Sequence, residues 1–158
     1  MTHSVVIGGA GFVGSWVVRE LLKDPDSKVT IIDNLISSEK WNIATDPRVS
    51  FIEGSAAELN TFRGIKEPAD SIYQLACFHG NQSSIAQPLQ DLENGLKTTL
   101  TTLEWMKNFS SKSRMIYSAA GCAVSQKTWD SPVPVEEIDK ITLNQDTPYS
   151  ISKLAGEM

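Results

Sequence analysis

The sequence predicts an α/β fold: a doubly wound parallel sheet with helices on both faces. Three observations carry that expectation. Five short runs of strand-forming residues recur along the 158 residues, most of them separated by longer segments with helical spacing. A glycine-rich turn follows the first run and opens the first helix. Strands that alternate with helices also need right-handed crossovers, which make neighbouring strands parallel.

The elements follow in order. Residues 4–7, Ser-Val-Val-Ile, form a compact apolar run closed by glycine. Phe12, Val13, Trp16, Val17 and Leu21 then recur at helical spacing. Asp24-Pro25-Asp26 ends that helix. Residues 28–32, 49–52, 71–76 and 114–118 supply the second to fifth strands. Pro88 opens a long helical pattern through Leu92, Leu96, Leu100, Leu103 and Met106. Its leucine stripe serves either as core or as a seam between two copies of the chain. A polar, proline-bearing stretch covers residues 126–148, and Tyr149 begins a final helix. That helix pattern reaches Met158 without a cap or a following strand, so the reading is of one domain over residues 1–158, truncated before its last strands.

Composition narrows the function classes. Hydrophobic residues make up 41% and charged residues 21%, a balance that supports a packed core. The net charge is −5 with no Lys/Arg cluster, which argues against nucleic acid and anionic membrane. No apolar run approaches the ~20 residues of a membrane span. Two cysteines, Cys77 and Cys122, exclude a disulfide scaffold and point to a reducing, cytoplasmic setting. No CxxC or HxxxH spacing suggests a metal site.

The turn after the first strand reads Gly8-Gly9-Ala10-Gly11-Phe12-Val13-Gly14-Ser15. Two glycine patterns fit it, Gly9-Gly11-Gly14 as GxGxxG and Gly8-Gly11-Gly14 as GxxGxxG. Both serve the same end. Glycine permits a tight turn and close approach of backbone to a pyrophosphate. The helix behind it aims its first N–H groups at the phosphates. The strand–glycine–helix–strand context makes this a Rossmann-type dinucleotide turn. Asp33 ends the second strand, where a carboxylate accepts from a ribose diol and repels a 2′-phosphate. That predicts NAD rather than NADP.

Tyr149 and Lys153 stand four residues apart, one helical turn, on the same face. A free tyrosine has a pKa of about 10 and is a poor base at neutral pH. A neighbouring ammonium favours its phenolate. Proton transfer coupled to hydride transfer is the chemistry that needs such a pair.

Together these segments resemble an extended short-chain dehydrogenase/reductase, specifically the NAD-dependent nucleotide-sugar epimerase/dehydratase family. The resemblance rests on VVIGGAGFVGS, VTIIDNL, YQLACFHGN, AQPLQDLENGLKTTLTTLE, RMIYSAAG and TPYSISKLAGE, nearly the whole chain. It implies that Gly8, Gly11 and Gly14 hold the dinucleotide, with Phe12 and Val13 offering backbone N–H groups. It implies adenosine-ribose contacts at Asp33 and Asn34, and a cofactor-lining loop at Leu75, Ala76 and Cys77. Tyr149 takes the role of catalytic tyrosine and Lys153 that of its partner, which also reaches the nicotinamide ribose. The implied substrate is a nucleotide sugar, oxidised transiently and then epimerised or dehydrated, in a homodimer. A simple NAD-dependent sugar reductase and a non-catalytic dinucleotide-binding module are the alternatives.

The sequence also departs from the family pattern. Gly54-Ser55 stands where Gly-Asp is usual, which removes an adenine contact. In the long helix, Gly95 falls on the place of the usual Asn, and Asn94 comes one residue early. The family's catalytic Ser/Thr falls on Ala120, which has no hydroxyl; Ser118, two residues earlier, is the candidate replacement. His79, Cys122, Trp129 and residues 136–139 read as ordinary loop or packing residues, with His79 and Trp129 near enough to the expected site to touch substrate.

Overall fold

The computed structural model describes residues 1–124, 134, 136 and 144–158. Five parallel strands form one sheet: β1 (Thr2–Ile7), β2 (Ser27–Asp33), β3 (Val49–Glu53), β4 (Ser71–Gln74) and β5 (Arg114–Tyr117). Their spatial order is β3-β2-β1-β4-β5, all parallel. The chain therefore builds outward from β1 on one side, then crosses to the other. The switch point lies between β1 and β4, where a doubly wound sheet opens its ligand crevice.

The central strands are apolar because helices cover both of their faces. Val5 and Ile7 point to one side, with Ile72, Phe62 and Trp105. Phe62 and Trp105 stack at 5.2 Å between ring centres. Val6 points to the other side, with Val29, Ile31 and Val18 of α1 (Phe12–Leu21).

Beyond β4 come α2 (Asn81–Ala86) and α3 (Pro88–Asp91). A π-turn at Leu92–Leu96 follows, and then α4 (Lys97–Phe109). After β5 come α5 (Gly121–Val124) and α6 (Pro148–Glu157). Thr147 caps α6 in a reciprocal box: its Oγ1 accepts from Ser150 N at 3.1 Å, and Ser150 Oγ accepts from Thr147 N at 3.3 Å. Pro148 holds the first helical position, where its missing N–H costs nothing.

The structure corrects several boundaries. β4 stops at Gln74 and β5 at Tyr117, so Leu75, Ala76 and Ser118 lie just past the strand ends. Leu75 N still donates to Ile7 O, and Ser118 N to Gln74 O, so the chain leaves the sheet gradually. The short elements α2 and α5, and the 3-10 turns Lys40–Asn42 and Leu59–Gly64, carry too few residues for a periodic signal. Trp129 and residues 137–139 lie outside the described residues.

Most of the leucine stripe is not core, although Leu96 is half-buried and Met106 packs against the core. Leu92, Leu100 and Leu103 are exposed, while Thr98, Thr99, Thr102 and Trp105 are the buried side of α4. The threonines win that face because Gln74, fully buried on β4, needs partners. Its Nε2 donates to Thr98 Oγ1 at 3.0 Å, and Thr102 Oγ1 donates to its Oε1 at 3.4 Å. Each threonine hydroxyl also bonds a carbonyl one turn back. A buried amide thus selects a polar helix face over an apolar one.

Candidate functional site

A cavity of about 390 Å3 opens at the carboxyl ends of β1, β2 and β4. The glycine turn forms one wall, and Gly8, Gly11 and Gly14, with Phe12 and Val13, line it. Gly8 takes φ +83°, a left-handed conformation that favours glycine, and a Cβ there would press on Ala76 N at 2.8 Å. A Cβ on Gly14 would overlap Gly8 O. Gly9 is absent from the lining; a Cβ there would strike Ile31 of β2 instead. Gly8-Gly11-Gly14 is therefore the pattern that faces the cavity, and Gly9 serves packing. No side chain caps α1 at Gly11, so its first N–H groups are available toward the opening.

Asp33 closes the facing wall. It is buried, and its carboxylate accepts three hydrogen bonds: Ala10 N at 2.9 Å, Leu35 N at 2.9 Å and Ser38 Oγ at 2.8 Å. This ties the β2 loop to the glycine turn and presents negative charge to the cavity. Asn34, Leu75, Ala76 and Cys77 line the same space. Gly54 does as well, whereas Ser55 does not. Ser55 Oγ accepts from Ala57 N at 3.2 Å and holds its own turn.

Sequence counting missed Asn94. It lines the cavity, is buried, and accepts from Asn34 Nδ2 at 2.9 Å. Gly95, which the count placed there, faces Ser152 instead. The π-turn explains the slip. It adds one residue to a helical turn between Asn94 and Thr98, so a fixed motif spacing slips by one across it. His79 lines the cavity too, from an exposed position at φ +38°.

Ala76 and Cys77 also line a second, small cavity with Tyr149, Lys153, Tyr117 and Asp91. One wall thus joins the glycine cavity to the Tyr–Lys pair. Lys153 is only 4% exposed. Its Nζ donates to Ser118 O at 2.6 Å and lies 5.9 Å from the Tyr149 ring centre and 5.1 Å from that of Tyr117. Burial pushes the Tyr149 phenol up to about 12, with further upward pressure from Cys77, Cys122, Tyr117 and Asp91. Burial pulls Lys153 down, opposed by Cys77, Asp91 and Cys122. Ser118 is exposed at the end of β5, and the residue at position 120 is alanine. Among the described residues no cluster of His, Cys, Asp or Glu is placed to hold a metal ion.

Fold and site together define a dinucleotide-binding α/β domain carrying a Tyr–Lys pair. The chain belongs to the NAD-dependent epimerase/dehydratase family, whose model matches residues 4–158. It is 33% identical over 155 residues to the UDP-glucose 4-epimerase of Lacticaseibacillus casei, covering 96% of this chain and 44% of that protein. The crystal structure of the Bordetella bronchiseptica enzyme WbmF with NAD+ superimposes with a TM-score of 0.82 at 41% identity, over 99% of this chain and 43% of WbmF. The epimerase Mth375 from Methanothermobacter thermautotrophicus gives a TM-score of 0.87 at 36% identity, over 99% of this chain and 45% of Mth375. The chain thus spans somewhat under half the length of these relatives. No described helix is long and apolar enough to cross a membrane.

Proposed function

We propose that residues 1–158 form the NAD-binding part of an epimerase or dehydratase acting on a nucleotide sugar. The observation that carries this reading is the wall at Ala76 and Cys77, which joins the glycine cavity to the Tyr149–Lys153 pair. The residues fit NAD: a cradle at Gly8 and Gly14 that a Cβ would fill, an uncapped helix start, and a carboxylate on the cavity wall able to accept from a ribose diol. WbmF has been crystallised with both NAD+ and UDP, which supports a nucleotide-linked substrate.

NAD, when bound, supplies a hydride acceptor that later returns the hydride. The chain's own residues do the rest. Phe12 and Val13 offer N–H groups to phosphate, and Gly8, Gly11 and Gly14 admit its close approach. Asp33 and Asn34 hold the adenosine ribose, and Leu75 and Ala76 line the path. Tyr149 takes the proton of a sugar hydroxyl. Lys153, anchored on Ser118 O, holds positive charge near the phenol and donates to a ribose hydroxyl. That charge works against burial, which pushes the Tyr149 phenol up to about 12. Ser118 is assigned the hydroxyl that Ala120 lacks. The exposed leucine stripe of α4 supports a homodimer, and the two cysteines, neither in a disulfide, support a cytoplasmic setting.

Ala120 favours a second reading, a dinucleotide-binding module without catalysis. Titration of the chain with NAD+, followed by tryptophan fluorescence, tests the shared part of both readings. Incubation of the whole protein with UDP-glucose and analysis for the C4 epimer separates them. Saturable NAD+ binding with no sugar conversion across a panel of nucleotide sugars leaves the module.

A further inference from the structure

Asp91 closes α3 and is 1% exposed. A buried carboxylate is costly unless its oxygens are paired. Its Oδ2 accepts from Ser152 Oγ at 2.6 Å. Its Oδ1 has no hydrogen-bond partner among the described residues. Gly95 lies beside that oxygen, and a Cβ there would stand 4.0 Å from it. The cavity that Asp91 lines is the one holding Tyr149 and Lys153.

The groups around the Lys153 ammonium are Tyr149 of α6, Tyr117 of β5, Cys77 beyond β4, Cys122 of α5 and Asp91 of α3. Asp91 is the one carboxylic side chain of that set, and it lines the same small cavity as Lys153. Lys153 has three N–H donors, and one is committed to Ser118 O. A hydrogen bond to Ser152 would be served equally well by asparagine, so the charge calls for its own explanation.

We propose that Asp91 is a positioning residue for the Tyr149–Lys153 pair. Its bond to Ser152 sets the turn of α6 that presents Lys153, and its charge keeps the Lys153 ammonium ionised inside the protein. This deepens the reading of the Tyr–Lys site above and rests on it for its catalytic meaning.

A double-mutant cycle on the 158-residue chain tests the charge pairing through urea unfolding, without cofactor. Lys153→Met strands a buried carboxylate and should lower the unfolding midpoint. Adding Asp91→Asn should recover a clear part of that loss. Additive effects overturn the proposal. If the single variants do not fold, a folded double variant supports the pairing and an equally unfolded one overturns it. Competitive acetylation read by mass spectrometry gives a second measurement. In Asp91→Asn, Lys153 should react about tenfold faster at neutral pH relative to Lys97 and Lys107, because more of it is neutral. In Ser152→Ala, which keeps the charge, that ratio should stay near the parent value. An unchanged ratio in folded Asp91→Asn overturns the proposal. Failure of NAD+ to bind the parent chain would count against the functional reading and leave these two results untouched.

Discussion

Lys153 Nζ donates a 2.6 Å hydrogen bond to the backbone carbonyl of Ser118, tying α6 to the end of β5. The acceptor is main chain, so a side-chain substitution at 118 does not remove it. That separates two roles of Ser118, anchoring Lys153 and offering a hydroxyl. In the whole protein, Ser118→Ala should keep Lys153 in place and lower the rate ~10²-fold, the loss typical of one preorganised donor. Ala120→Ser should leave the Ser118-dependent rate nearly unchanged. A silent Ser118→Ala together with a gain from Ala120→Ser would show that the hydroxyl is simply missing.

Tyr149→Phe should cut the rate of the whole protein by about 10²–10⁴ while leaving NAD+ affinity nearly intact. The ring remains and only the proton-transfer group is lost. Steady-state kinetics and an NAD+ titration on the same sample check both halves.

The phenol also predicts a pH dependence. Tyr149 in the folded chain is pushed up to about 12, above the ordinary 10.0 of an unfolded tyrosine. Between these values the unfolded chain releases its proton first. The folded state therefore loses stability as pH rises through that window. Urea midpoints should fall above pH 10, and fall less in Tyr149→Phe. Equal slopes would show that another group controls the alkaline limb.

Asp33→Asn should weaken NAD+ binding about tenfold or more, with a smaller loss for NADP+. The amide loses the charge that faces the cavity, and its NH2 group meets either the donor Ala10 N or the donors Leu35 N and Ser38 Oγ. Isothermal titration with both cofactors measures the ratio. Equal or tighter binding of NADP+ by the parent chain would contradict the assignment of Asp33.

The glycines should differ in tolerance. Gly14→Ala forces a Cβ into Gly8 O and should cost on the order of 3 kcal/mol, with loss of NAD+ binding. A Cβ on Gly11 meets only Gly8 O at 3.2 Å, so Gly11→Ala should cost about 1 kcal/mol, mainly as a poorer helix cap. Urea denaturation ranks the two.

The 158-residue chain should self-associate. Phe12 is 83% exposed, Val13 and Trp16 lie beside it on α1, and among the described residues β5 pairs with β4 alone. Open strand edges and apolar patches both favour association. Light scattering across a concentration series should show growth in mass, reduced by Trp16→Glu.

Much of this protein is legible in short stretches of sequence. The strands, the glycine turn, Asp33 at a strand end and the Tyr149–Lys153 spacing are local patterns, and the physics behind each acts within a few residues. Pleat, helix pitch and glycine's conformational freedom need no distant partner. Other features required the fold. The choice of Gly8-Gly11-Gly14 over Gly9-Gly11-Gly14 depends on Ile31 of β2 occupying the space beside Gly9. The outward turn of the leucine stripe depends on Gln74, which lies 24 residues before the first threonine it bonds. Asn94 reaches the cavity through a π-turn that periodicity at 3.6 residues per turn does not anticipate. Asp91 meets Ser152 across 61 residues of chain. Each of these was decided by which groups burial brings together, and a buried polar group takes the partner that the fold places beside it.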